Sequence, residues 1–209
     1  MTDTVVALLG LALVHLLAVA SPGPSTVLVV QAAAAGGRRA GLLASFAMMV
    51  GAVTWAAAAL FGLQALFAHF AWLYVAFRIA GGLFLIYLAV MLWRHAGEPL
   101  PEIELGAQEG LLGWRGFVRA LALQLSNPKI MVFFGSIFLS VLPADMPGWM
   151  QLAVLAIVAS DEFGWFALLT LVFSGGPARQ FYGRAKVWLE RFMGGALALL
   201  GLRLALMKS

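Results

Sequence analysis

Cysteine is absent from the 209-residue chain. That excludes disulfides, thiolate metal sites and thiol–disulfide chemistry. Charge is scarce as well. Only 11% of residues are charged, against about 25% in soluble domains. Histidine occurs three times, too few for a His-rich metal cluster. No Gly-x-Ser-x-Gly nucleophile turn and no Gly-x4-Gly-Lys-Ser/Thr phosphate loop is present. The chain therefore reads as a non-enzyme without a cofactor or metal site.

What remains is apolar: 63% of residues are hydrophobic. A core of this length cannot bury that much apolar surface, so lipid must solvate most of it. The formal charge of +4 rests on 13 Lys+Arg. Most of these fall between apolar runs, so they read as membrane-orientation signals and not as a nucleic-acid surface. Ala18-Val19-Ala20 before Ser21 looks like a small-residue cleavage site. The segment ahead of it lacks Lys and Arg, so the N-terminus is read as a retained first helix.

A helix needs about 20 apolar residues to cross the hydrocarbon. Six runs qualify: Val5 to Val30, Gly41 to Phe67, Trp72 to Trp93, Phe117 to Leu142, Trp149 to Phe173 and about Phe192 to Met207. They are continuous and not alternating, which excludes a β-barrel pattern. The expectation is an all-α polytopic membrane protein of about six transmembrane helices, one domain over 1–209. Its halves, about 1–93 and 117–209, are joined by the solvated loop 94–116, where Glu98, Glu102, Glu104 and Glu109 lie among Pro and Gly.

Basic residues mark alternate connections: Arg38 and Arg39, then Arg94 and Arg115, then Arg179, Arg184, Lys186 and Arg191. The other connections hold only His69 and Asp145. The positive-inside rule places the loop 94–116 in the cytoplasm and both termini outside.

Two runs break their own rules. Ser21-Pro22-Gly23-Pro24 interrupts the first, and Asn127-Pro128-Lys129 the fourth. A proline inside a helix removes a hydrogen bond and clashes with the preceding turn. In lipid the freed carbonyls need partners from neighbouring helices, from Ser21, Ser25 or Thr26, or from a wet cavity. Lys129 lies too deep to snorkel, so a polar cavity or a partner should face it. Asn127 could take up the carbonyls freed by Pro128. The fifth run supplies acids, Asp161 and Glu162. Adjacent helical positions lie about 100° apart, so these two cannot face the same way. One should meet Lys129, Arg78 or a substrate path, and either is a candidate for ion pairing or proton coupling. His15 reads as a hydrogen-bonded packing residue. Gly81 and Gly82 read as a close-approach surface, and Gly36, Gly37, Gly41 and Gly51 as turn and packing glycines.

Each half has three helices, and each first helix is interrupted by proline. Three is odd, so a repeated half would insert upside down. Inverted repeats with broken helices point to a transporter whose site lies near the midplane.

These residues resemble the LysE-type translocators, the lysine and homoserine-threonine exporters. The likeness lies in Pro22-Gly23-Pro24 with Gly36, Gly41 and Gly51, and in Asn127-Pro128-Lys129 followed by Phe133-Phe134. Gly81 with Tyr87-Leu88 and Gly194-Gly195 with Gly201-Leu202 fit the same pattern. Asp161-Glu162 is not part of the resemblance. The resemblance implies a bacterial inner-membrane exporter of amino acids, driven by the proton-motive force without ATP. It places Pro22, Gly23, Pro24, Asn127, Pro128 and Lys129 on the path. An amino-acid zwitterion needs a cation for its carboxylate, which Lys129 offers. It needs an anion for its amine, which Asp161 or Glu162 offers. The alternative is an ion or metal transporter or channel that uses the buried acids. A homodimer is the expected assembly for so small a bundle.

Overall fold

The computed structural model describes residues 2–21, 23–63, 71–97, 113–141 and 146–174, with parts of 187–206. Among these residues every regular element is helical. Helix α1 is Thr2–Ala20 and α2 is Pro24–Ala58, the latter ending in a π-turn at Ala59–Leu63. Helix α3 is Ala71–His95, α4 is Gly113–Leu125, α5 is Pro128–Val141 and α6 is Gly148–Phe173. Further helical residues lie between 187 and 206. Residues 64–70, 98–112 and Pro22 are among those outside the described set.

The chain is turned inside out relative to a soluble protein. Leu9, Leu13, Leu152 and Leu199 are mostly exposed, whereas His15, Gln124, Asn127 and Glu162 are buried. Water penalises such an apolar surface and lipid does not. By length and composition, Pro24–Gly62 and Gly148–Phe173 each suffice to cross a bilayer.

Both proline motifs break helices where the sequence predicts. The physical cost differs from the one expected of an interior proline. Pro24 and Pro128 each open a new helix. At a helix's first position the missing N–H has no partner to lose and the fixed φ is already helical. The first long run thus becomes α1 plus the start of α2. The fourth becomes α4 plus α5.

Within α2 the helix also bends at Gly37, where φ is 68° and ψ is −165°. Only glycine adopts that backbone without strain. The non-helical Gly37 separates two helices within Pro24–Ala58, one from the first predicted run and one from the second.

Helix α2 packs along both α4 and α6, and α6 also packs on α1. Glycines permit the closest approaches. A Cβ at Gly41 would lie 2.5 Å from Thr170, and one at Gly51 would lie 2.7 Å from Gln124. The Ser45 hydroxyl bonds the Gly41 carbonyl at 2.8 Å and lies 3.2 Å from the Thr170 hydroxyl. Gly201 packs against the Gly82 carbonyl, as the small-residue reading of Gly82 requires. The buried interior forms two apolar clusters, one around Leu11, Phe133 and Val154 and one around Val29, Met48 and Phe166.

Candidate functional site

The two breaks meet. Lys129, on the first turn of α5, reaches across to the end of α1 and donates from Nζ to the Ser21 carbonyl at 2.7 Å. That carbonyl belongs to the last turn before the break, where no helical N–H follows to donate to it. Lys129 therefore caps a helix in the other half of the chain.

Asn127 organises the second break. Its Oδ1 accepts the Lys129 backbone N–H at 3.0 Å, which makes it the N-cap of α5. Its Nδ2 donates to the Ser25 hydroxyl at 3.0 Å. The sequence reading assigned Asn127 to the carbonyls freed by Pro128. The backbone N–H of Asn127 does this, donating to the Gln124 carbonyl at 3.2 Å. The next carbonyl, that of Leu125, accepts from Trp55 Nε1 on α2 at 3.1 Å, and the Asn127 side chain is engaged with α5 and Ser25.

From Ser25 the chain of polar contacts continues. The Ser25 hydroxyl donates to Gln124 Oε1 at 2.6 Å, and Gln124 Nε2 donates to Glu162 Oε1 at 2.5 Å. Lys129, Asn127, Ser25, Gln124 and Glu162 thus form one connected path from α5 to α6. Ser25, Gln124, Asn127 and Glu162 are buried.

A cavity lies along this path, lined by Ser21, Gly23, Ser25, Asn127, Lys129 and Glu162, with Val19, Thr26, Ile130 and Phe166. It leaves about 10 Å³ for the centre of a water molecule, which is room for about one water. Lys129 and Glu162 both line it but bond to different partners. The cavity walls therefore carry a cation and a carboxyl group, with the backbone of a broken helix between them.

The adjacent acids diverge as the helical geometry requires. Glu162 turns inward and is 1% exposed. Asp161 keeps 18% exposure and its Oδ2 lies in hydrogen-bond contact with His15 Nδ1 at 3.1 Å. The ring's other nitrogen, Nε2, lies 3.7 Å from Glu162 Oε2. Phe133 and Phe134 hold the ring, with centroids 5.4 and 5.6 Å away.

Most residues named from sequence converge here. Ser21, Gly23, Asn127, Lys129 and Glu162 line the cavity, while Pro24 and Pro128 start the helices that flank it. Pro22 and the Arg78 side chain lie outside the described residues. Two members were missed. Gln124 stands three residues before Asn127 and so shares its helix face, a signal that was available. His15 was read as packing. Its pairing with Asp161 spans 146 positions, and no local pattern announces that. Among the described residues no group of three or more His, Asp or Glu could hold a metal ion.

Apolar helices that expose hydrocarbon to the outside, broken in pairs around an ionic cavity, define a multi-pass membrane transporter. The chain belongs to the LysE type translocator family, whose model matches residues 16–208. Members of that family are translocators and not enzymes. A threonine efflux protein of Escherichia coli K12 is 29% identical over 202 residues, covering 94% of this chain and 96% of that protein. The threonine efflux protein of Salmonella typhi is 30% identical, covering 92% and 94%. An uncharacterized membrane protein of Escherichia coli K12, YahN, is 32% identical, covering 88% and 82%. No solved structure matches.

Proposed function

We propose that this protein exports a small amino acid of the threonine class across the bacterial inner membrane, driven by the proton-motive force. The observation that carries the reading is the cavity between the two breaks, with Lys129 and Glu162 on its walls. A free amino acid carries a carboxylate and an ammonium a few bonds apart. Lys129 complements the first and Glu162 the second.

The present partner of Lys129 is a neutral carbonyl. A substrate carboxylate would add a full opposite charge to a bond that the ammonium already assists, so substrate can displace Ser21 without leaving the ammonium unpaired. Ser25 and Thr26 bring hydroxyls to the cavity wall that could meet a substrate side-chain hydroxyl. The cavity takes about one water, so the two breaks must part to admit an amino acid and close again behind it. Lys129 is the tie that must be exchanged during that movement. The threonine efflux proteins among its relatives support the substrate class.

The basic residues of alternate loops favour a cytoplasmic 94–116 loop and external termini. A reporter fused after Ser209 that is active only in the cytoplasm would overturn that orientation. The transport reading is tested by loading expressing cells with threonine dipeptides and following amino acids in the medium. Faster threonine release that an uncoupler stops is the expected result. Release no faster than in cells lacking the protein would overturn it.

A further inference from the structure

Threonine export at the Lys129 cavity uses Glu162 but leaves its two ionisable neighbours, His15 and Asp161, without a role. His15, Asp161 and Glu162 come from two helices, α1 and α6, that pack on one another. The imidazole stands between the two carboxyl groups, with one nitrogen toward each. Its Nδ1 is bonded to Asp161, whereas Nε2 and Glu162 Oε2 are both buried without a hydrogen-bond partner. Two orphaned polar atoms facing one another across 3.7 Å are costly in an apolar interior. A modest approach of α1 to α6 would join them.

We infer that Asp161, His15 and Glu162 form a proton relay that feeds the substrate cavity. Asp161 is the partly exposed end and Glu162 the cavity end. In the step, protonated Asp161 gives its proton to His15 Nδ1 while the Nε2 proton passes to the Glu162 carboxylate. Asp161 is left as a carboxylate, the ring as its other neutral tautomer, and Glu162 as a neutral acid. A ring with a donor on one side and an acceptor on the other performs this transfer without carrying net charge into the interior. Phe133 and Phe134 pack against the ring, with centroids 5.4 and 5.6 Å away.

The consequence for transport is competition at one group. The inference rests on the export reading, in which Glu162 holds the substrate's ammonium. A proton arriving at Glu162 removes that counter-charge and releases the substrate, and substrate binding excludes the proton. Competition of that kind is what exchange of a proton for an amino acid requires. Among the described residues, the charged and titratable groups around the ring are Asp161 and Glu162 on α6 and Lys129 on α5. Gln124 on α4 is neutral and holds the other oxygen of Glu162 in place.

The test uses the full-length protein in phospholipid vesicles with threonine as the probe. Counterflow, the exchange of labelled for unlabelled threonine at equal pH, needs no net proton movement. Transport driven by a pH gradient does. His15→Gln and Asp161→Asn are expected to keep wild-type counterflow while gradient-driven transport drops to the level of protein-free vesicles. Surviving counterflow itself shows that each variant is folded, and Asp161→Asn carries the test if His15→Gln does not assemble. Gradient-driven transport at the wild-type rate in both variants overturns the relay alone. Equal loss of both modes also overturns it, since that marks a merely structural role. Wild-type vesicles that show neither mode overturn the export reading and the relay together.

Discussion

The two broken helices solve one problem in opposite ways. The break at Asn127 supplies its own cap: the Asn127 side chain caps α5 and its N–H takes the Gln124 carbonyl, with Trp55 of α2 added on the Leu125 carbonyl. The break at 21–23 has no such cap of its own. Gly23 caps α2 without any side-chain hydrogen bond, and the Ser21 carbonyl relies on Lys129 from more than a hundred residues away. One break is capped by its own asparagine and the other by a borrowed lysine. In a lipid-solvated bundle a borrowed partner is a hinge point, because releasing it costs one hydrogen bond and no helix.

The strongest way to break this contrast is Lys129→Met. It orphans the Ser21 carbonyl, at about 1–3 kcal/mol, and deletes the cavity's cation. Threonine export should fall to background while the protein still inserts. Export at the wild-type rate would show that the lysine is only a cap.

Gly41→Val tests the frame that holds both breaks. Its side chain would drive into Thr170, and overpacking of this kind costs about 1–3 kcal/mol. A thermal melt in detergent should drop, with α2 and α6 forced apart. An unchanged melting temperature would mean that this contact carries little of the packing.

Asn127→Ala removes the self-made cap, at about 1 kcal/mol, together with the Ser25 contact. Stability should fall by roughly that amount and export in part, because Lys129 keeps its charge but loses its registration. A loss of export as deep as that of Lys129→Met would erase the distinction between the two breaks.

The smallest effect is expected at Gly23→Ser. The backbone there is extended, at φ −177° and ψ −173°, and the nearest side-chain atoms to a Cβ are 4.0 Å away on Lys129. Nothing in that geometry requires glycine, and a serine could supply the missing cap. Stability should stay within about 0.5 kcal/mol of the parent. A drop well beyond that in the same detergent melt would place a hidden constraint at this break.

The sequence was most legible where the rule is local. Pro24 and Pro128 announce breaks whatever surrounds them, and the apolar runs between them announce lipid. Asp161 and Glu162 could be read as diverging, because helical spacing alone forces it. Which acid turned inward could not be read, nor that His15 would stand between them. Gln124 lay within reach through its spacing from Asn127 and was passed over because a single amide in an apolar run usually packs quietly.

By itself, the sequence determined that the chain lives in a bilayer, that it is helical, where two helices break, and that a lysine and two acids lie deep in apolar runs. Each follows from composition, from proline's missing N–H, or from a period of 3.6. Only the tertiary structure decided that the two breaks face each other, that Lys129 caps the opposite half, and that Glu162 joins the cavity while Asp161 pairs with His15. Those pairings join positions from 38 to 146 residues apart. They are set by how helices with glycine-lined faces pack, and a one-dimensional pattern does not encode that.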